Sequence, residues 1–448
     1  MTAAGARVPR AGQWDENRLI LFPLANTVLL MCLAVLYGGA LRYLAPVSSL
    51  ALYGFYAVLF GCIGLSLLTS RGSVAFHWPS VLPYLAWLAF YLLWGTLFSR
   101  DQDSAVREMA RFGYRNALIL TTIVVALVNR RSLERFAGYA QVAVLVNAAV
   151  SVWLALDPVR MARLAFYLDP NSSSYSLRPG GLWINPNEAG FAFLFGLLLS
   201  RWARGRWVWV ARVAALLGIF LSASRTGFLM ALLCAAIFLI YRYRTSGPLA
   251  RIMGVLLAIT LLLGVRAGWL ADGLAPLNID VGQQTALQRL TDLTETETER
   301  ERQLTRAQLT RLGLTRLIQA PWYGNGLLAF QGGESAARVG LPQGIHNIYV
   351  AVGGEIGWLG LFTYLGVLAF GVRRTVRARV PIEDKLVLLL FWTCSLLIGL
   401  TWHNQLTSIG GAVYAGMLFH LPYLLDKDGG PAAHEVAAGA DSGQTGRS

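Results

Sequence analysis

DGLAPLNIDVGQQTALQRLTDLTETETERERQLTRAQLTRLGLTRLIQAPWYGNGLLAFQGGESAARVGLPQGI, residues 272–345, is the one long polar stretch in a chain of 448 residues, and His346-Asn347-Ile348-Tyr349 closes it and leads back into apolar sequence. The sequence on both sides is hydrophobic and spaced like membrane spans. The stretch therefore reads as an extramembrane domain, and chemistry is to be sought there first.

Composition agrees with that reading. Hydrophobic residues make up 55% and charged ones 14%, against roughly a quarter charged in soluble domains, and the mean hydropathy is +0.51. These values exclude an ordinary soluble protein and define an all-α polytopic membrane protein. In a soluble domain the formal charge of +14 would suggest a nucleic-acid partner. Here the arginines lie at the junctions between apolar runs, so membrane topology and anionic membrane lipids explain them and no nucleic acid is expected. Cys32, Cys62, Cys234 and Cys394 sit inside apolar runs without metal-site or disulfide spacing and read as packing residues.

Outward from the loop, apolar runs fall at 19–37, 47–68, 80–98, 116–128, 136–156, 188–200, 207–223, 226–241, 252–270, 347–371, 386–402 and 408–425. Most approach the ~20 residues that cross a bilayer, which gives about twelve helices. Leu19 to Tyr37 lacks a small-residue cleavage site after it and reads as the first span, not as a signal peptide. The expected organisation is a cytoplasmic tail at 1–18, spans one to nine within 19–271, the loop domain at 272–345, spans ten to twelve within 346–425, and a disordered cytoplasmic tail at 426–448.

With the N-terminus inside, the inside segments hold 21 of the 38 Lys and Arg residues, and eight of the others lie in or beside the long loop, which the rule for short loops does not count. Both termini are thus expected in the cytoplasm and the long loop outside. Arg100, Arg107, Arg111 and Arg115 run against this pattern, softened by Asp101, Asp103 and Glu108. The unusual polar features then share the outer side: 169–187, Ser222-Ala-Ser-Arg225-Thr-Gly, the long loop, and Trp402-His403-Asn404-Gln405.

Arg178-Pro-Gly-Gly-Leu-Trp-Ile-Asn185-Pro-Asn187 leads into a span. Asn185 or Asn187 can cap the helix that follows, while Arg178 can either grip a phosphate or snorkel to the interface. Arg225 lies in a very short turn at the start of the eighth helix, where backbone N–H groups also favour an anion. A charge held there calls for a partner, an anionic ligand or an ion pair. Within the loop, Gln283 to Gln319 lacks Pro, holds a single Gly (Gly313) and carries most of its acids before most of its bases, which predicts one or two helices. Arg302 and Arg306, four apart, would share a face and could clamp a diphosphate, although a solvated face would read the same. Pro321-Trp-Tyr-Gly324-Asn-Gly326 then forms a turn. His77 and His420 fall inside and His434 in the tail, leaving His346 and His403 facing outward. A histidine at the lip of a membrane cavity can take a proton from a sugar hydroxyl; alternatively it caps a helix.

Taken in order, Arg178 with Gly-Gly and Asn185-Pro-Asn187, Ser224-Arg225-Thr-Gly, Arg306 with Pro321-x-x-Gly-x-Gly326, and His346-Asn347-x-Tyr349 resemble the O-antigen ligase and polymerase superfamily over residues 170–370. The resemblance implies a GT-C-like bacterial inner-membrane glycosyltransferase of about twelve helices, with one large helical periplasmic loop between the ninth and tenth spans and no metal or other cofactor. In the ligase branch, O-antigen polysaccharide passes from undecaprenyl diphosphate to the lipid A core with inversion. The family's essential Arg and His fall on Arg225 and His346. The remaining candidates for holding diphosphate or sugar are Arg306, Arg178, Arg302, Asn187, Asn347 and Tyr349, followed by Arg300, Arg289 and His403. Thr310 stands where many members carry an aromatic residue one turn after the loop arginine. A polymerase that extends the lipid-linked chain uses the same residue types. A lipid-linked sugar transporter or flippase would instead show internal repeats and polar groups at mid-membrane, and the sequence shows neither.

Overall fold

The computed structural model describes residues 11–41, 49–70, 76–156, 179–183, 185–222, 224–242, 280–281, 284–285, 306–331, 333–341, 344–401, 405–406 and 408–428. Its helices are α1 (Ala11–Tyr37), α2 (Ser49–Ser70), α3 (Leu82–Leu97), α4 (Gln102–Ala126), α5 (Arg130–Leu156), α6 (Pro186–Leu199), α7 (Val208–Leu221), α8 (Arg225–Arg242), α9 (Arg306–Gln319), α10 (Gly333–Arg338), α11 (Ile348–Arg377), α12 (Ile382–Gly399) and α13 (Ile409–Asp428). Eleven of the twelve apolar runs overlap a described helix for most of their length, and the run at 252–270 lies outside the described residues. Leu50–Ser70, Arg130–Leu156 and Ile348–Arg377 are long and apolar enough to cross a membrane, and five shorter apolar helices accompany them. The protein is a helical membrane protein.

Polar side chains pin the helices where apolar packing alone would let them slide. Asn26 donates to the carbonyl of Ala126 at 2.9 Å, and Gln141 donates to that of Gly196 at 2.9 Å. Each such bond contributes about 1 kcal/mol in a membrane bundle. The side-chain contacts along the helices define two ends of the bundle. The described residues between 306 and 347 pack at one of them, here the loop end. At the far end Asp384, fully buried on α12, pairs with Arg130 at 3.3 Å and Arg201 at 3.1 Å. His420 lies there too, buried between the Ser80 hydroxyl and the Leu127 carbonyl.

Two readings of the loop and its exit are corrected by the structure. Helix was expected from Gln283 to Gln319, yet Gln284–Thr285 (β2) pairs antiparallel with Asp280–Val281 (β1). Arg306–Gln319 is helical as expected, and 286–305 lie outside the described residues. Two residues, Gly282-Gln283, separate the strands, and a Gly-X pair is a hairpin signal that the even run of polar residues after it concealed.

The apolar run 347–371 reads as one span but folds as a broken helix. Gly357 has φ 75° and ψ −177°, outside the helical region and open to glycine. Contacts on α12 show how far the two halves diverge. Thr375 accepts from the Trp392 indole at 2.9 Å, and Tyr349 donates to the Leu396 carbonyl at 2.8 Å. Straight helix from Thr375 to Tyr349 would cover about 39 Å, whereas Trp392 to Leu396 covers about 6 Å. The first half, Ile348–Ile356, must therefore bend over the loop end of α12.

Candidate functional site

The site is built from helix starts gathered at the loop end. Asn185 caps α6, accepting from the Asn187 N–H at 3.0 Å, with Pro186 as the first helical residue. The turn before it is anchored from below: the Trp183 indole, buried, donates to the Tyr37 carbonyl at 2.9 Å, and Asn147 accepts from the Leu182 N–H at 2.8 Å. Asn187 then reaches the turn ahead of α8, where its amide oxygen accepts from the Ser224 hydroxyl at 3.5 Å. Gly190 and Gly227 let the two helices touch, since a Cβ on Gly190 would lie 2.7 Å from the Ser224 Cβ, and one on Gly227 3.1 Å from the Gly190 backbone. Arg225, half-buried, is the first residue of α8. Glu188 is buried in the first turn of α6, where the helix dipole favours a negative charge.

The second part is the start of α11. Asn347 caps it, accepting from the N–H groups of Tyr349 at 3.0 Å and Val350 at 3.2 Å. Half-buried His346 stands one residue before the cap. The expectation that Asn347 and Tyr349 hold substrate meets a structural use of both, because the Asn347 amide oxygen is the cap and the Tyr349 hydroxyl is bonded to Leu396.

α12 relates the two parts. α8 packs against it in the opposite direction, with Tyr241 donating to Glu383 at 2.9 Å and Cys234 Sγ 3.4 Å from Cys394 Sγ. From Cys234 the nine residues back to Arg225 cover about 13 Å, which brings Arg225 level with the loop end of α12. Ile348 and Tyr349 lie against Gly399 at that same end. Arg225 and His346 thus begin two helices that meet one helix terminus. Arg306 opens α9. Arg178, Arg289, Arg300, Arg302 and His403 lie outside the described residues.

Sequence reading missed the residue that fastens the loop to this frame. Glu355 is fully buried two residues before the break in α11. Its carboxylate accepts from the Tyr91 hydroxyl on α3, from the Phe330 N–H at 3.2 Å and from the Gln331 amide at 3.2 Å. The Pro321–Gly326 turn docks on the same place, Gly326 N–H donating to the Glu355 carbonyl at 2.9 Å and Leu327 N–H to the Gly95 carbonyl at 2.7 Å. A Cβ at Gly357 would collide with the Trp322 carbonyl. Phe330 in turn accepts from the Ile345 N–H at 2.9 Å, and His346 is the next residue. A carboxylate inside an apolar run was the available signal. Among the described residues no three His, Cys, Asp or Glu side chains are grouped to hold a metal ion.

Arg, Asn and His are thus gathered at helix starts at the end of a membrane bundle where the described part of the loop packs. Residues 210–365 match the family model described as O-antigen ligase, in agreement with the resemblance that the motifs carry over residues 170–370. The matched segment holds Arg225, Arg306, His346 and Glu355. No curated protein matches the chain.

Proposed function

We propose that the protein is an O-antigen ligase, which transfers O-antigen polysaccharide from undecaprenyl diphosphate to the lipid A core with inversion and without a metal. The observation that carries this is the placement of Arg225 and His346, both inside the family segment, at two helix starts that meet the loop end of α12. The diphosphate leaving group needs its charge held and no proton. Arg225 and the backbone N–H groups at the start of α8 supply that, with Arg306 or Arg178 as further cations. His346 accepts the proton of the acceptor hydroxyl as it attacks from the face opposite the diphosphate. In this reading the loop end faces the periplasm and both termini lie in the cytoplasm of a bacterial inner membrane.

The test is the lipopolysaccharide gel profile of cells carrying His346→Ala, with membrane levels of the protein verified. Loss of a general base lowers turnover by about 10²–10⁴-fold, so core-lipid A without polymer is expected, with undecaprenyl-linked polymer accumulating. Core bearing a single repeat would identify a polymerase, and an unchanged ladder would remove His346 from the chemistry.

A further inference from the structure

Arg107, Arg111 and Arg115 recur every fourth residue along α4 and so share one face. The run 116–128 places a span at this point, but the helix begins at Gln102, capped by Asp101, and carries these arginines into the bundle's rim. Depth follows from the helix rise. Counted back from Ala126, Arg115 lies about 16 Å, Arg111 about 22 Å and Arg107 about 28 Å along the axis, and the hydrocarbon core is about 30 Å thick. Arg107 therefore stands at the level of the lipid head groups on the loop end, and Arg111, about 8 Å below that level, reaches it by extending its long side chain. Arg115 turns outward toward them, its guanidinium 5.2 Å from the Phe112 ring centre.

Of the three acids nearby, Asp103 is exposed in the first turn, and Asp101 and Glu108 are engaged. Asp101 accepts from the Ser104 N–H at 3.2 Å, and its carboxyl is held below the ordinary 3.8 by the Ser104 backbone and side-chain hydrogen bonds, then by Arg338 and Arg107. Glu108 meets Arg111 at 3.4 Å, yet 67% of the Arg111 side chain stays exposed. Beside the arginines runs an apolar strip on α2, which is only 17% buried within its span. Tyr114 of α4 contacts Tyr56 and Phe60 of α2, both ring pairs 6.1 Å apart, and Phe60 and Tyr114 are each 48% exposed. Positive charge at head-group level over an open aromatic and aliphatic strip complements one kind of ligand, an amphiphile with phosphate at its head and acyl chains below.

We propose that the α2–α4 face at the loop end docks the acceptor glycolipid, Arg107 and Arg111 gripping a head-group phosphate while its acyl chains lie along Phe60 and Tyr114. This rests on the ligase reading above and supplies it with an acceptor site. Phosphomonoesters carry more charge and offer more acceptor oxygens than the diesters of bulk phospholipid, so a guanidinium fork favours them.

The test uses the full chain in nanodiscs and measures binding of lipid A–core with its phosphates intact, the same lipid dephosphorylated, phosphatidylglycerol and undecaprenyl diphosphate. Wild-type protein is expected to bind the phosphorylated glycolipid at least about tenfold more tightly than the other two glycerol- or sugar-based lipids. Arg107→Gln with Arg111→Gln should abolish that preference and leave undecaprenyl diphosphate binding unchanged, which also reports that the variant is folded. Arg111→Lys, keeping charge without the fork, should lose part of it. Equal binding by the double variant, or competition by phosphatidylglycerol mole for mole, overturns the proposal. The readout needs no transfer reaction, so a failed ligase assay with an intact binding preference would strike the ligase reading alone, and the reverse result this site alone.

Discussion

Glu355 shows how much one side chain organises at the loop end. Three donors, from α3 and from two consecutive loop residues, converge on a carboxylate with no exposure. Replacing it by alanine strands the Tyr91 hydroxyl proton and the Phe330 N–H, at about 1–3 kcal/mol for each donor left unsatisfied, while the Gln331 amide keeps its bond to the Tyr91 hydroxyl. Glu355→Ala should therefore lower the melting temperature in detergent sharply and open 320–345 to protease, because Phe330 no longer ties Ile345. Tyr91→Phe removes two bonds, the one donated to Glu355 and the one accepted from the Gln331 amide at 3.0 Å, and should cost about 1–2 kcal/mol. The pair of changes should fall short of additivity, since both act on one network. Additive losses would mean that the network does not fasten the loop.

Among the elements, α11 matters most because it is two helices. Its first half carries the His346–Asn347 start and its second half crosses the bundle, and Gly357 joins them in a positive-φ, extended conformation that is essentially confined to glycine and costs an L side chain about 1–3 kcal/mol. The collision of a Cβ with the Trp322 carbonyl adds to that. Gly357→Ala is expected to reduce transfer at least tenfold, by displacing the first half from α12, with the protein still inserted at normal levels. Gly366→Ala, where nothing lies within 4 Å of the new methyl, is the matched control and should be neutral. Hydropathy revealed α11 but not its break, since apolar residues stand on both sides of Gly357 and it is one of six glycines in the run, with nothing local to single it out. α4 was legible only from Asn116 inward for the converse reason: its charged first turns lower the hydropathy while the helix continues past the membrane's rim.

Across the whole molecule the two ends are held by different means. The loop end relies on hydrogen bonds to backbone groups, and the far end on ion pairs in which Arg130 and Arg201 share Asp384 while Arg130 and Arg204 share Glu134. Asp384→Ala removes the buried member, but its arginine partners are about two-fifths exposed and rehydrate. The cost should fall below the ~3–5 kcal/mol of stranding a buried charge. The expected outcome is a lower melting temperature with turnover preserved at permissive temperature, because His346 and Arg225 lie at the opposite end. Eleven helices and the turn at Pro321–Gly326 could be read from local pattern, as could the cap at Asn185. The partners of Glu355 could not, since Tyr91 is 264 residues away and nothing local to either residue announces the other.

That separation has a bearing on how the protein is made. Every group that satisfies the Glu355 carboxylate, namely Tyr91, Phe330 and Gln331, precedes it in the chain. When the ribosome delivers α11 to the membrane, its carboxylate can be received at once by segments already inserted. The Tyr349 hydroxyl, by contrast, waits for Leu396 on the next helix to emerge. The order of synthesis thus seats the loop on α11 first and closes the first half of α11 over α12 afterwards, so biogenesis ends where the candidate site is completed.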